Sequence, residues 1–241
     1  MGLTLKGNER FPVEILPGVK VVKIASGNDH LVLLSENGRI YTCGRGEQGQ
    51  LGRVAARTAS RNTRQGIGLL LTPGVVEFKI RKKLYFDDIW AGNFCTFAKE
   101  HDKGDIYVFG LNNFHQIGKT SIFKVFSKII YLSILSFFFM RLLENILGLK
   151  DNDIHFHPQM SKTFSGKEWK HISSGEHHTI ALDDAGQVFV MGRKEYGRLG
   201  LGPNCADAEE LTLVPTLSST KCVDIGAGSR ESFAVTESGN I

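Results

Sequence analysis

Residues 24–52 read IASGNDHLVLLSENGRIYTCGRGEQGQLG, and the pattern returns twice: residues 89–118 read IWAGNFCTFAKEHDKGDIYVFGLNNFHQIG and residues 172–200 read ISSGEHHTIALDDAGQVFVMGRKEYGRLG. A fourth copy, IGAGSRESFAVTESGNI, begins at Ile225. From Gly27 the further glycines fall at Gly38, Gly44, Gly49 and Gly52; from Gly175 the same offsets give Gly186, Gly192, Gly197 and Gly200. Recurrence at fixed offsets marks a repeat architecture, and it takes precedence over local secondary-structure signals.

Each copy has the chemistry of a small antiparallel sheet. Leu31-Val32-Leu33-Leu34 and Thr179-Ile180-Ala181-Leu182 are short apolar strands. Glu36-Asn37-Gly38 and Asp183-Asp184-Ala185-Gly186 then supply turns tolerant of positive φ. Arg39-Ile40-Tyr41-Thr42 and Gln187-Val188-Phe189-Val190 return as the next strands. The opening glycines stand at 27, 92, 175 and 228, a spacing that suits one four-stranded blade per copy. The predicted fold class is therefore all-β, a β-propeller of about three to four blades.

Composition agrees. The 241 residues are 41% hydrophobic and 22% charged with a net charge of +4, which excludes both a disordered acidic chain and a polycation. There are 27 glycines and only 6 prolines, as tight turns between short strands require. Cys43, Cys95, Cys205 and Cys222 show no C-x-x-C pair, so reduced thiols are expected. The opening Met1-Gly2-Leu3-Thr4-Leu5 lacks a basic signal-peptide start and no serine follows at position 6 for myristoylation.

The repeat resembles the regulator of chromosome condensation family, whose blades carry G-x-x-H-T-x-x-L, then G-x-V-Y/F-x-x-G, then G-Q/R-L-G. SGNDHLVLL, CGRGEQGQLGRV and RKEYGRLGLG are similar to the family's chromatin-bound exchange factor for the small GTPase Ran. A complete family member has seven blades. The resemblance covers roughly residues 20–120 and 155–241, so an internal fragment lacking blades on both sides is expected.

The pattern breaks once. Residues 121–150 include SIFKVFSKIIYLSILSFFFMRLLENILGL, which separates propeller segments 1–120 and 151–241. The uninterrupted uncharged run, Ile129 to Met140, is flanked by Lys128 and Arg141 and falls short of the roughly 20 residues of a membrane span. A translated intron or gene-model error and a genuine amphipathic insertion are the two remaining readings. This stretch is expected to lie between blades.

Candidate chemistry divides into structural and functional readings. Gly44-Arg45-Gly46-Glu47-Gln48-Gly49 is a literal G-x-G-x-x-G, but a dinucleotide site needs a helix to open there, and the repeat continues its turn instead. His155, His157, His171, His177 and His178 lack metal-ligand spacing. In a strand His177 and His178 point to opposite faces. His30 and His178 are expected to hydrogen-bond backbone inside the blade. The third residue of each signature, Asp29, Phe94, His177 and Arg230, varies as an exposed position does.

Function attaches to that position through the resemblance. It implies that Asp29 and His177 lie on the GTPase-facing surface and take part in exchange, with Arg53 also docking Ran. Exchange needs no covalent chemistry, since the factor must only bind the nucleotide-free GTPase better than the loaded one. Between residues 53 and 64 stand Arg53, Arg57, Arg61 and Arg64 with no acid among them. A solvated loop is one reading. The resemblance implies instead that Arg61 and Arg64 contact the acidic patch of the histone octamer, where guanidinium groups grip carboxylates in bidentate pairs. The implied partners are Ran and the nucleosome, in the nucleus on chromatin, with no cofactor, metal, small-molecule substrate or membrane. A repeat-propeller interaction module without exchange activity is the alternative, and no nucleophile-base pair supports hydrolysis.

Overall fold

The computed structural model of the chain describes residues 14–55, 64–78, 80, 82–118 and 154–241, with Arg64 and Gln65 described by backbone only. Within them stand three four-stranded antiparallel sheets, each with its strands side by side in chain order, and one two-stranded sheet. The first blade contains β1 (Val21–Ser26), β2 (His30–Ser35), β3 (Ile40–Gly44) and β4 (Gly74–Val75). The second contains β5 (Phe86–Ala91), β6 (Cys95–Glu100), β7 (Ile106–Leu111) and β8 (Ile154–Met160). The third contains β9 (Trp169–Ser174), β10 (His178–Asp183), β11 (Val188–Gly192) and β12 (Ala208–Leu213), and β13 (Cys222–Ala227) pairs with β14 (Ser232–Thr236). The chain is a β-propeller fold, as the repeat predicts.

Register explains the glycines. His30 faces Gly44, Cys95 faces Gly110 and His178 faces Gly192 across their hairpins. Gly44, Gly110 and Gly192 have φ of 116°, 119° and 113°. A Cβ there would come within 2.4 Å of the Asp29 carbonyl oxygen, or within 2.3 Å of those of Phe94 and His177. Only glycine allows the third strand to pass this close.

The second strand of each complete blade is buried along nearly its whole length, which is why HLVLLS, CTFAKE and HTIALD read as runs rather than strict alternations. Blades pack face to face. Val32, Leu34 and Ile40 of the first blade meet Phe86, Ile89 and Ala98 of the second. A larger core joins Phe97, Phe164, Trp169, Ile172, Ile180 and Ile225 across the rest. Ile89, Ile172 and Ile225 hold one register position and are covered by the preceding blade, whereas Ile24 at the same position in the first blade is 63% exposed.

A second, polar connection repeats at each junction. The hydroxyls of Thr96, Thr179 and Ser232 donate to the carbonyls of Gln50, Gln116 and Arg198 in the preceding blade at 3.0, 2.6 and 2.8 Å.

Two features depart from expectation. The break after Gly118 does not separate blades: β8 pairs with β7, joining Gly110 to His155 and Leu111 to Ile154, so it falls inside the second blade between its third and fourth strands. Residues 121–150 themselves lie outside the described residues. The second departure is α1 (Arg64–Leu71), an eight-residue helix in the connection from β3 to β4. Leu70 holds it down on Leu51 and Val54. Among the described residues no helix is long and apolar enough to cross a membrane.

Candidate functional site

The four third residues of the signatures sit at one end of the blades. The carbonyls of Asp29, Phe94 and His177 accept the N–H groups of Arg45, Leu111 and Arg193, the residues that leave each third strand, at 2.8, 3.0 and 2.8 Å. Turns beside them also bond from blade to blade: Asn28 N–H reaches the Asn93 carbonyl at 3.2 Å and Asn93 N–H reaches the Ser174 carbonyl at 3.0 Å. Asp29 and His177 therefore belong to one continuous face.

Their surroundings differ. Asp29 and Arg230 are exposed, as expected, but Phe94 and His177 are half-buried. Arg45 lies between two acids, donating to Glu47 at 2.6 Å and standing 3.6 Å from Asp29. His177 instead meets Phe114 edge to face at 4.9 Å, and Arg193 sits 4.8 Å from the centre of the Phe114 ring. Desolvation lowers the His177 pKa below its usual value, outweighing the nearby Glu176. The ring is therefore neutral near pH 7 and offers one donor and one acceptor. Sequence reading missed Phe114. Its signal is positional: it stands two residues before the Gln-Ile-Gly turn, where the third copy has Tyr196 and the first has Gln48.

Arg53 is turned into its own blade. Its Nε donates to the Thr42 carbonyl at 3.1 Å, and its Nη2 donates to the carbonyls of Leu69 and Thr72 at 2.7 and 2.9 Å. It ties α1 to β3. Arg61 lies outside the described residues, and Arg64 opens α1 with its side chain outside them.

His30 and His178 have a structural place, with different partners from those expected. Their Nε2 atoms bond not to backbone of their own blades but to the hydroxyls of Thr96 and Ser232 in the next, at 2.9 and 3.0 Å. Since each hydroxyl gives its proton to a carbonyl, Nε2–H must donate. Burial brings both pKa values down to about 4. Among the described residues no group of three or more His, Cys, Asp or Glu could hold a metal ion. The G-x-G-x-x-G segment forms tight turns, with Gly49 N–H bonded to the Gly46 carbonyl at 3.0 Å and Gly52 N–H to that of Gly49 at 3.0 Å. No helix opens at its end, and a phosphate would find no helix N-terminus there.

A face of varied polar and aromatic side chains on a repeat scaffold is suited to binding a protein. Known proteins agree with the architecture. The family model described as RCC1-like domain matches residues 1–241. The regulator of chromosome condensation of Xenopus laevis is 38% identical over 232 residues, covering 95% of this chain and 47% of that protein. Its Homo sapiens counterpart is 38% identical over 233 residues, covering 95% and 48%. Prp20p of Saccharomyces cerevisiae, whose structure was described with its binding properties to Gsp1p and histones, matches with a TM-score of 0.64 at 22% identity, covering 92% of this chain and 44% of that one. The chain spans about half the length of the curated relatives it matches. The repeated register, the blade geometry and the match along the whole sequence lead to one assignment: the chain belongs to the RCC1-like domain family.

Proposed function

We propose that this chain carries part of the docking face of a guanine-nucleotide exchange factor for the small GTPase Ran, working on chromatin in the nucleus. The observation that carries the reading is that Asp29 and His177 occupy one repeat position on one face in a chain 38% identical to regulators of chromosome condensation. Exchange on such a face is a matter of differential affinity. Contacts that fit the nucleotide-free GTPase better than the loaded form shift the equilibrium towards release by that difference. Asp29 supplies a carboxylate held beside Arg45, and His177 a neutral ring fixed by Phe114. Arg53, held by the Leu69 and Thr72 carbonyls, is the third residue of the Ran-docking set, and no cofactor enters.

The arginines that follow Arg53 in sequence give the chromatin contact. Arg61 and Arg64 follow the anchored Arg53 and Val54, and their guanidinium groups suit the acidic patch of the histone octamer. The yeast relative described with both Gsp1p and histones supports a pairing of these two partner classes.

Fluorescent-nucleotide release from Ran, with affinity for nucleotide-free Ran measured alongside, tests the reading. Asp29→Ala and His177→Ala each weaken binding to nucleotide-free Ran by about tenfold with unchanged circular dichroism. Arg61→Ala with Arg64→Ala weakens nucleosome binding in a salt-sensitive way and leaves Ran binding alone. Wild-type affinity in both face variants would remove Asp29 and His177 from the site. Ran binding without faster release would identify a non-catalytic interaction module.

A further inference from the structure

The contact between Phe114 and His177 has a counterpart one blade on. Tyr196 is the repeat equivalent of Phe114, and Arg230 that of His177. The Arg230 guanidinium lies 4.8 Å from the Tyr196 ring centre and that of Arg198 lies 5.4 Å from it. Phe114 is half-buried, whereas Tyr196 is 73% exposed. Its φ is 63°, in the left-handed region that a bulky residue adopts only when its surroundings require it, and such residues gather at functional sites.

Around this ring the guanidinium groups of Arg193, Arg198 and Arg230 stand against the carboxylates of Glu195 and Glu231. Arg193 is engaged by Glu195, and the Glu231 carboxylate accepts the Arg230 main-chain N–H at 3.1 Å. Arg198 is 3% exposed. Its Nε donates to the Glu195 carbonyl at 2.8 Å, but its buried Nη1 has no hydrogen-bond partner. Tyr196, Arg198, Arg230 and Phe233 line a cleft of about 370 Å³ between the third blade and β14. In that cleft the two guanidinium groups beside the exposed phenol share one carboxylate, Glu231, and the Nη1 donor of Arg198 is unused. An acidic side chain arriving with an apolar neighbour would satisfy both the cations and the ring. Tyrosine and arginine are also the residue types that dominate protein interfaces energetically.

We infer that Tyr196 with Arg230 and Arg198 forms a second anchor on the docking face, receiving a carboxylate-bearing segment of the GTPase; this rests on the Ran reading given above. The test uses the full chain and nucleotide-free Ran in biolayer interferometry at low and high salt, with nucleosomes as a parallel analyte. Tyr196→Ala weakens Ran binding about tenfold, and Tyr196→Phe keeps it within about threefold because the ring face supplies the contact. Arg230→Ala weakens it roughly fivefold at low salt and flattens the salt dependence. Both side chains are exposed, so melting temperatures stay at the wild-type value. If Asp29→Ala weakens Ran binding while Tyr196→Ala and Arg230→Ala bind like wild type, the anchor is overturned and the docking reading stands. If wild-type chain does not bind Ran, both fall together. Loss of nucleosome binding, with Ran binding kept, overturns the GTPase as occupant.

Discussion

The blade junctions differ in how they solve one packing problem. Where the first blade meets the second, the His30 ring lies over Gly27, so close that a Cβ on Gly27 would stand 2.2 Å from Cε1 and 2.3 Å from the Gly92 carbonyl oxygen. Where the third meets the fourth, His178 and Gly175 repeat this, with Cε1 at 2.5 Å and the Gly228 carbonyl oxygen at 2.3 Å. In between, the histidine is replaced by Cys95, and the residue ahead of the next glycine changes too: Ala91 and Ala227 belong to the histidine junctions, Ser174 to the cysteine junction. Ser174 fills the space, since a Cβ on Gly92 would stand 2.4 Å from the Ser174 Cβ and 2.8 Å from the Cys95 Sγ. Its hydroxyl lies 2.9 Å from Thr179 Oγ1, the place His30 Nε2 takes beside Thr96. A histidine facing an alanine and a cysteine facing a serine are two ways to fill one site and supply one polar partner to the hydroxyl. The hydroxyl-to-carbonyl bond is common to all three junctions; the histidine is not.

Acid separates the two kinds most strongly. The folded pKa of His30 and His178, about 4, lies below the ordinary histidine value of 6.5, so the neutral ring is favoured by folding. This contribution is complete above pH 6.5 and is lost as pH falls towards 4. For His30 the shift corresponds to roughly 3 kcal/mol. Urea unfolding between pH 7 and 4 shows a steep decline in stability for wild type and a shallower one for His30→Gln, which keeps a polar partner but cannot charge. Equal slopes would refute the burial of a neutral ring at that junction.

Next in size are truncations at pH 7. His30→Ala removes a buried ring and leaves the Thr96 oxygen short of a donor, costing about 2–4 kcal/mol. Cys95→Ala removes one sulfur from a site where Ser174 still serves Thr179, costing about 1 kcal/mol. A larger loss at Cys95 than at His30 in denaturant melts would show that the thiol, not the hydroxyl, holds the central junction. Burial pushes the Cys95 thiol up to about 12, which keeps it protonated and unreactive at neutral pH.

What the sequence disclosed follows from how many neighbours each residue has. The second strands are buried along nearly their whole length, so Leu31–Leu34 and Thr179–Leu182 had to be apolar runs between fixed glycines, and the propeller was readable from them. Fourth strands are outermost, and Gly74–Val75, Ile154–Met160 and Ala208–Leu213 share no pattern. For this reason the interruption looked like a link between blades although it lies before the last strand of one. The helix at Arg64–Leu71 was hidden by Gly66 and Gly68, poor helix formers, and depends on Leu70 packing. At the face, Asp29 and His177 stood out because the signature varies there. Phe114, the Tyr196 pair and the partners of His30 and His178 did not, because each acts on a residue of the following blade.

The finest test exchanges one solution for the other. If cysteine with serine and histidine with alanine are alternative fillings, Cys95→His alone overpacks the site against Ser174 and costs about 1–3 kcal/mol. Adding Ser174→Ala makes room for the ring and lets its Nε2–H donate to Thr179 Oγ1, as His30 does to Thr96, so the double variant regains about 1 kcal/mol or more over the sum of the single changes. The gain has a signature that simple relief of crowding lacks. The double variant carries one more buried junction histidine, and its stability falls more steeply than wild type between pH 6.5 and 4. Additive effects in the double-mutant cycle, or an unchanged pH slope, would mean that Ser174 and Cys95 are independent choices and that the likeness of the three junctions ends at their hydroxyl-to-carbonyl bonds.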